Sequence, residues 1–249
     1  QDAATSYPNV TFVSMTGDTA ATSGLANFKN AFNATYESRY VSGVVGGLKL
    51  KELIDNGTLT KEKMPDAFVG DDIKVGYVGA YPYAEVVSGY TAFYLGVKSI
   101  VSNVVMDVTY TNSWYDPTAE GEAANSLVSD GCIIISQHAD STGAPSACEQ
   151  LLNSGKTVYC VGYNVDMLSV APTAALTSAQ NDWSVYYTYA FGCIVKGEDI
   201  KTDWAAGYDQ GAVMISALGK SCAEGTDAKV KEVEAALKDG SLNVFDCST

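Results

Sequence analysis

Seven side chains in four short stretches have the chemistry to recognise a polar solute: Tyr81, Trp114, Gln137, His138, Asp140, Asn164 and Asp166. Tyr81 and Trp114 offer flat apolar faces for a ring to stack on. Asp140, Asn164 and Asp166 accept or share hydrogen bonds with hydroxyl groups, and Gln137 and His138 add donors. The same residues admit other readings. Trp114 as a cap on the core and Asp166 as a turn residue compete with solute contact. His138 and Asp140 lie near Ser136 and Ser141, but neither serine sits in a nucleophile elbow, so a hydrolytic triad has little support. Asp116, Asp140 and Asp166 are the residue type of a glycosidase carboxylate set, although helix capping is the simpler account of Asp116 and a competing one for Asp140. Gly76 and Gly79 are too sparse to cradle phosphate, and the dinucleotide and Walker motifs are missing, so no cofactor is expected.

Repeated strand–loop–helix units position these residues. Ile73–Val78 reads as a buried strand, Gly79 as a turn, Ala80 to Tyr83 as a loop, and about Ala84 to Ile100 as a helix. The second strand is Val104–Tyr110, followed by a loop that ends at Asp116-Pro117, an N-cap and first-turn pair opening a helix to about Ser129. The third strand is Cys132–Ile135, with the loop Ser136 to Ser141 and a helix to about Asn153. The fourth is Thr157–Val161, with the loop Gly162 to Met167. Alternation at this spacing, roughly 28 residues, predicts a parallel sheet with right-handed crossovers and helices on both faces. In such sheets ligands bind outside the carboxyl ends of the strands, where the polar and aromatic residues collect here.

The flanking chain is read as follows. Val10–Met15 is a strand. A helix is expected over about Ala26 to Leu50, with Phe32, Tyr36, Tyr40, Val44 and Leu48 as its apolar stripe and Gly43, Gly46 and Gly47 allowing close approach to a sheet. Arg39, the only arginine, is expected in a structural ion pair. Residues 56–72 read as a surface excursion joining two lobes. Beyond the fourth unit come a helix of about Asn181 to Lys196, strands near Trp204–Tyr208 and Ala212–Ile215, a helix over Asp227–Lys238 and a last strand at Leu242–Phe245.

Composition narrows the function classes. A net charge of −14 argues against nucleic acid as a partner. No apolar run reaches the roughly 18 residues of a membrane helix. The six cysteines show no metal-binding spacing; Cys222 and Cys247 flank the last helix, placed to pair as a disulfide in an extracytoplasmic protein. Gln1 to Ala4 is polar, so no signal peptide is read, and Asn9, Asn33 and Asn56 begin glycosylation patterns.

The segments KVGYVGAYPYAEVVSGYTAFYLGVKS, SWYDP, QHADS, GYNVD and LTSAQNDWSVYYT, taken together, resemble the basic membrane protein family. These are substrate-binding lipoproteins of ABC importers, whose characterised members are similar to purine nucleoside receptors. The resemblance covers nearly all of residues 7–246. It implies an α/β fold of the periplasmic-binding-protein type I kind: two parallel-sheet lobes with helices on both faces, a hinge, and the solute held between them. It implies residues 1–72 as part of the first lobe, 73–180 as the second, and 181–249 as returning segments that complete the lobes. Family members carry a lipobox cysteine and about three further βα units before the matching region, so the first lobe is expected to be incomplete here. By position, Tyr81 is the aromatic near the base and Asp166 the partner of the ribose hydroxyls. Asn181 stands where nucleoside-binding members tend to have a lysine. The implied function is binding of a purine nucleoside or related heterocycle for an ABC permease, without covalent chemistry. The implied location is extracytoplasmic, periplasmic or held at the membrane through a lipid anchor absent from this chain. A ligand sensor or surface interaction protein on the same fold is the alternative, and a nucleoside-acting hydrolase a lesser one.

Overall fold

The computed structural model describes residues 1–246. The chain forms two compact units: unit 1 comprises Gln1–Thr35 and Asn181–Met214, and unit 2 comprises Tyr36–Gln180 and the chain from Ile215 onward. The units divide between Gln180 and Asn181, where a division is expected, but the expected division after 72 falls after Thr35 instead. Residues 36–72, including the 56–72 excursion, belong with the four-unit sheet rather than with the first strand, and so does the chain after 214.

In chain order, unit 1 opens with α1 (Asp2–Ser6), β1 (Phe12–Met15), α2 (Ala20–Ser23) and β2 (Phe28–Asn33). The long helix α3 (Thr35–Asp55) follows, then β3 (Phe68–Val69), β4 (Asp72–Gly79), α4 (Ala84–Lys98), β5 (Val104–Tyr110), α5 (Pro117–Ser129), β6 (Ile134–His138), α6 (Gly143–Asn153), β7 (Tyr159–Tyr163) and β8 (Ala175–Asn181). Then come α7 (Ser184–Lys196), β9 (Asp203–Ala206), β10 (Val213–Ile215) and α8 (Thr226–Lys238). Leu242–Phe245 is a turn-containing segment, not a strand. The Cys222–Cys247 pairing lies outside the described residues at Cys247.

Unit 1 holds a parallel sheet in the order β1-β2-β9. β2 is the main departure from expectation, because a helix was read from Ala26. Its two buried asparagines find partners within the unit. Asn30 accepts from the Ala20 amide at 3.2 Å and donates to Asp203 at 3.2 Å, and Asn33 donates to the Ala212 carbonyl at 3.0 Å. These bonds offset much of the cost of burying the two amides, although Asn33 Oδ1 has no partner among the described residues. Trp204 and Tyr186 meet edge to face at 5.0 Å and anchor the apolar core with Ala31, Ala190 and Cys193.

Unit 2 carries the parallel sheet β5-β4-β6-β7-β8, with β3 antiparallel to the start of β4. Successive residues of β6 face opposite sides. Ile135 joins a core with Ala124 and Leu127 of α5 and Ala147 and Cys148 of α6. Ile134 turns to α3, where a Cβ at Gly46 would lie 3.2 Å from its Cγ2. The α3 glycines allow close approach, as expected, but chiefly to a helix. A Cβ on Gly43 would lie 2.2 Å from the Phe93 carbonyl oxygen of α4, and one on Gly96 of α4 would lie 2.1 Å from the Tyr40 oxygen. The two helix backbones touch, and only glycine permits it. β4 has β5 on one side and β6 on the other, so the chain order reverses there, and in open parallel sheets this is the point beyond whose carboxyl ends ligands bind.

Candidate solute site

The loops after β4, β5, β6 and β7 build the rim. Tyr81 and Tyr83 flank Pro82, with Tyr83 in extended backbone, and their rings stack at 5.0 Å with an interplanar angle of 14°. Trp114 closes the group at 5.8 Å from Tyr81 and 6.3 Å from Tyr83. Tyr83 is 56% exposed. The sequence reading missed it, although the Tyr-Pro-Tyr spacing carried the signal.

The β5 and β6 loops are tied together above β4. The Asp140 amide donates to the Trp114 carbonyl at 2.7 Å. Asp116 caps α5, accepting from the Thr118 and Ala119 amides at 3.1 and 3.0 Å, and Pro117 fills the first helical position as expected. Glu120, buried one turn into α5, accepts from the amides of Asp116 at 3.3 Å and Ser141 at 3.2 Å. Burial pushes its carboxyl above the ordinary range.

β6 runs through His138, three residues beyond the expected end at Ile135, and this changes two site assignments. Gln137 is buried, and its amide nitrogen donates to the carbonyls of Ala139 at 2.7 Å and Ser141 at 2.9 Å. It shapes the loop instead of reaching the rim. His138 is also fully buried, 4.7 Å from the Tyr163 ring and 6.5 Å from Trp114, with its Nδ1 3.3 Å from the Tyr77 hydroxyl. Burial, reinforced by the Arg39 charge, holds its proton affinity well below the usual histidine range, so the ring is neutral. A Cβ at Gly89 would lie 2.5 Å from Nδ1, so α4 needs glycine there to pass over the imidazole.

At the rim, Asn164 donates to Asp140 at 3.0 Å and holds a left-handed backbone with φ of 65°. Asp140 is half-buried, and burial raises its proton affinity against the pull of Asn164 and Arg39. Asp166 is exposed and accepts from the Leu168 amide at 2.9 Å, capping the short turn after β7. Asn181 lies in unit 1, where its side-chain oxygen accepts from Asn33 and Thr35, each at 3.1 Å. The structure therefore brings together Tyr81, Trp114, Asp140 and Asn164. It sets Gln137 and His138 behind them and gives Asp166 a capping bond.

Arg39 reaches this region from α3. It makes no ion pair with a carboxylate among the described residues, contrary to expectation. Its guanidinium lies over the Tyr163 ring at 3.8 Å, and Nη1 donates to the Gln137 carbonyl. A cation held on an aromatic face replaces the expected carboxylate partner.

A family profile described as an ABC transporter substrate-binding protein, PnrA-like (Bmp), matches residues 1–242. The chain belongs to this family. It is 30% identical over 240 residues to a purine-binding protein of Brucella abortus, covering 96% of this chain and 60% of that protein. It is 27% identical over 239 residues to a Haloferax volcanii protein named for ABC transporter glucose binding, covering 96% and 54%. The chain thus spans less than two thirds of either relative. Among solved structures, an ABC transporter solute-binding protein of Aeropyrum pernix superposes with a TM-score of 0.78 at 14% identity, covering 97% of this chain and 72% of that one. This establishes the periplasmic-binding-protein type of α/β fold. No helix among the described residues is long and apolar enough to cross a membrane.

Proposed function

We propose that this Bmp family protein is the extracytoplasmic solute receptor of an ABC importer, and that its solute is a purine nucleoside or a related small heterocycle. The observation that carries the reading is the aromatic trio Tyr81, Tyr83 and Trp114 beside the hydrogen-bonded Asp140–Asn164 pair. A flat ring has faces to stack on, and hydroxyl or amino donors have a fixed carboxylate to meet. The name of the Brucella relative supports a purine; that of the Haloferax relative keeps sugars in the test. In this reading Asp166 adds a solute contact, the permease is the protein partner, a lipid anchor holds the receptor at the membrane, and the solute leaves chemically unchanged.

A thermal-shift panel of purine nucleosides, free bases and sugars on the full-length protein tests this. At a hundredfold excess over Kd, one bound solute adds about 2.7 kcal/mol of stability. The expected result is a clear upward shift with a purine nucleoside, and recovery of that compound intact by chromatography. No shift with any member overturns the ligand class, and turnover of the bound compound overturns the receptor reading.

A further inference from the structure

Unspent hydrogen-bonding capacity is concentrated behind the rim of unit 2. Nε and Nη2 of Arg39, Nε2 of His138 and Oγ of Ser136 are buried without a hydrogen-bond partner among the described residues. Buried polar groups in native proteins are paired, so such a concentration marks a place where something else belongs. Glu85, in the first turn of α4, faces this cluster. Its carboxylate lies 3.7 Å from His138 Nε2, and its side chain retains 16% exposure, so it alone among these groups is open from outside. The charged and titratable groups around it are Arg39 from α3, Tyr77 from β4, and His138 and Asp140 from β6 and its loop.

We propose that Glu85 is a solute-contacting, specificity-determining residue, and that Arg39 positions its charge from behind the rim so that donor-bearing solutes bind more tightly as pH rises. The inference rests on the solute-receptor reading of this rim. Glu85 has no ion-pair contact with Arg39, and a neutral His138 supplies no counter-charge. Burial therefore raises its carboxyl to about 7, with the Arg39 charge opposing that rise and Asp140 adding to it. A carboxyl so placed exchanges its proton in the neutral range. Ionised, it accepts from hydroxyl or amino groups at both oxygens; protonated, it turns one oxygen into a donor and gives up the negative charge that strengthens those bonds. A solute rich in donors selects the ionised form and releases the proton.

The apo protein is tested first, by following the Glu85 side-chain carboxyl carbon by NMR across pH. The resonance titrates near neutrality in the wild type, shifts to higher pH in Arg39→Gln, and is missing from the spectrum of Glu85→Gln. A midpoint in the ordinary carboxylate range overturns the proposal without touching the receptor reading. The second arm measures solute affinity for the tightest binder of the panel. If only the ionised form binds, Kd falls about tenfold from pH 6 to pH 8, and Glu85→Gln flattens that slope. Calorimetry in buffers of different ionisation enthalpy reads the proton release. A flat profile in the wild type, or tighter binding at low pH, overturns the contact. If no compound in the panel binds, the receptor reading fails and takes the contact with it, while the NMR arm still decides whether Arg39 governs Glu85.

Discussion

The amide of Asp140 donates to the carbonyl of Trp114 at 2.7 Å, which locks the loop after β6 to the loop after β5. The bond joins main chain to main chain, so the aromatic face and the carboxylate keep their relative placement whatever side chain stands at 114. Trp114→Ala should therefore remove a stacking face without displacing Asp140. Truncating an aromatic at a binding hot spot costs about 2 kcal/mol or more. The expected outcome is weaker solute binding with near-native unfolding, read by calorimetry and urea titration side by side.

Asn164 is held at φ of 65° while its side chain donates to Asp140 at 3.0 Å. Asn164→Ala loses the bond and adds backbone strain. Asn164→Gly loses the bond but suits the left-handed conformation. The alanine variant should be the less stable by about 1 kcal/mol, with both variants weakened in solute binding. Equal unfolding midpoints would show that the left-handed backbone is not under strain at this position.

Stability should respond to pH through Glu85. Its carboxyl is raised from the ordinary 4.5 to about 7 in the folded chain. The folded state thus holds a proton that the unfolded chain has lost. Glu85 carries no penalty below pH 4.5, and stability declines as pH climbs through about 7. Glu85→Gln should accordingly stabilise the protein at pH 8, by up to about 3 kcal/mol, and change little at pH 4. His138 has the opposite sign: its depressed proton affinity costs stability as pH falls below 6.5. Urea midpoints of wild type and variant across this range check both.

The α3–α4 contact predicts a contrast between two glycines. Gly43→Ala places a methyl 2.2 Å from the Phe93 oxygen, and overpacking of this kind costs roughly 1–3 kcal/mol or more. Gly192, inside α7, has nothing among the described residues within 4 Å of its missing Cβ. Gly192→Ala should stabilise by about 1 kcal/mol through helix propensity alone. Denaturation midpoints moving in opposite directions would bear this out.

The elements most legible in the sequence were those with local causes. The strand at Val104–Tyr110 and the Asp116-Pro117 start of α5 are set by apolar run, turn and cap, and both are where the residues place them. β2 was not legible, because Phe28, Ala31 and Phe32 run into the helical stripe of α3, and Asn30 and Asn33 read as exposed until their partners, some 170 and 180 residues away in the chain, are known. The end of β6 was misplaced for a related reason. Ser136, Gln137 and His138 read as a polar loop yet are buried, with Gln137 turned back onto its own loop. Arg39 meets Gln137 across 98 positions, a contact that no local pattern encodes. Tyr81, Trp114 and Asp140 could be read along the chain; the placement of Arg39 and Glu85 beside His138 and Tyr163 emerged only with the fold.

Calorimetric titration of the full-length protein with purine nucleosides, in the wild type and in Trp114→Ala, tests the solute-receptor account most directly. The account predicts one nucleoside bound per chain, with affinity at least about tenfold weaker in the variant. Binding of equal strength in both proteins, or no heat with any nucleoside, would contradict it.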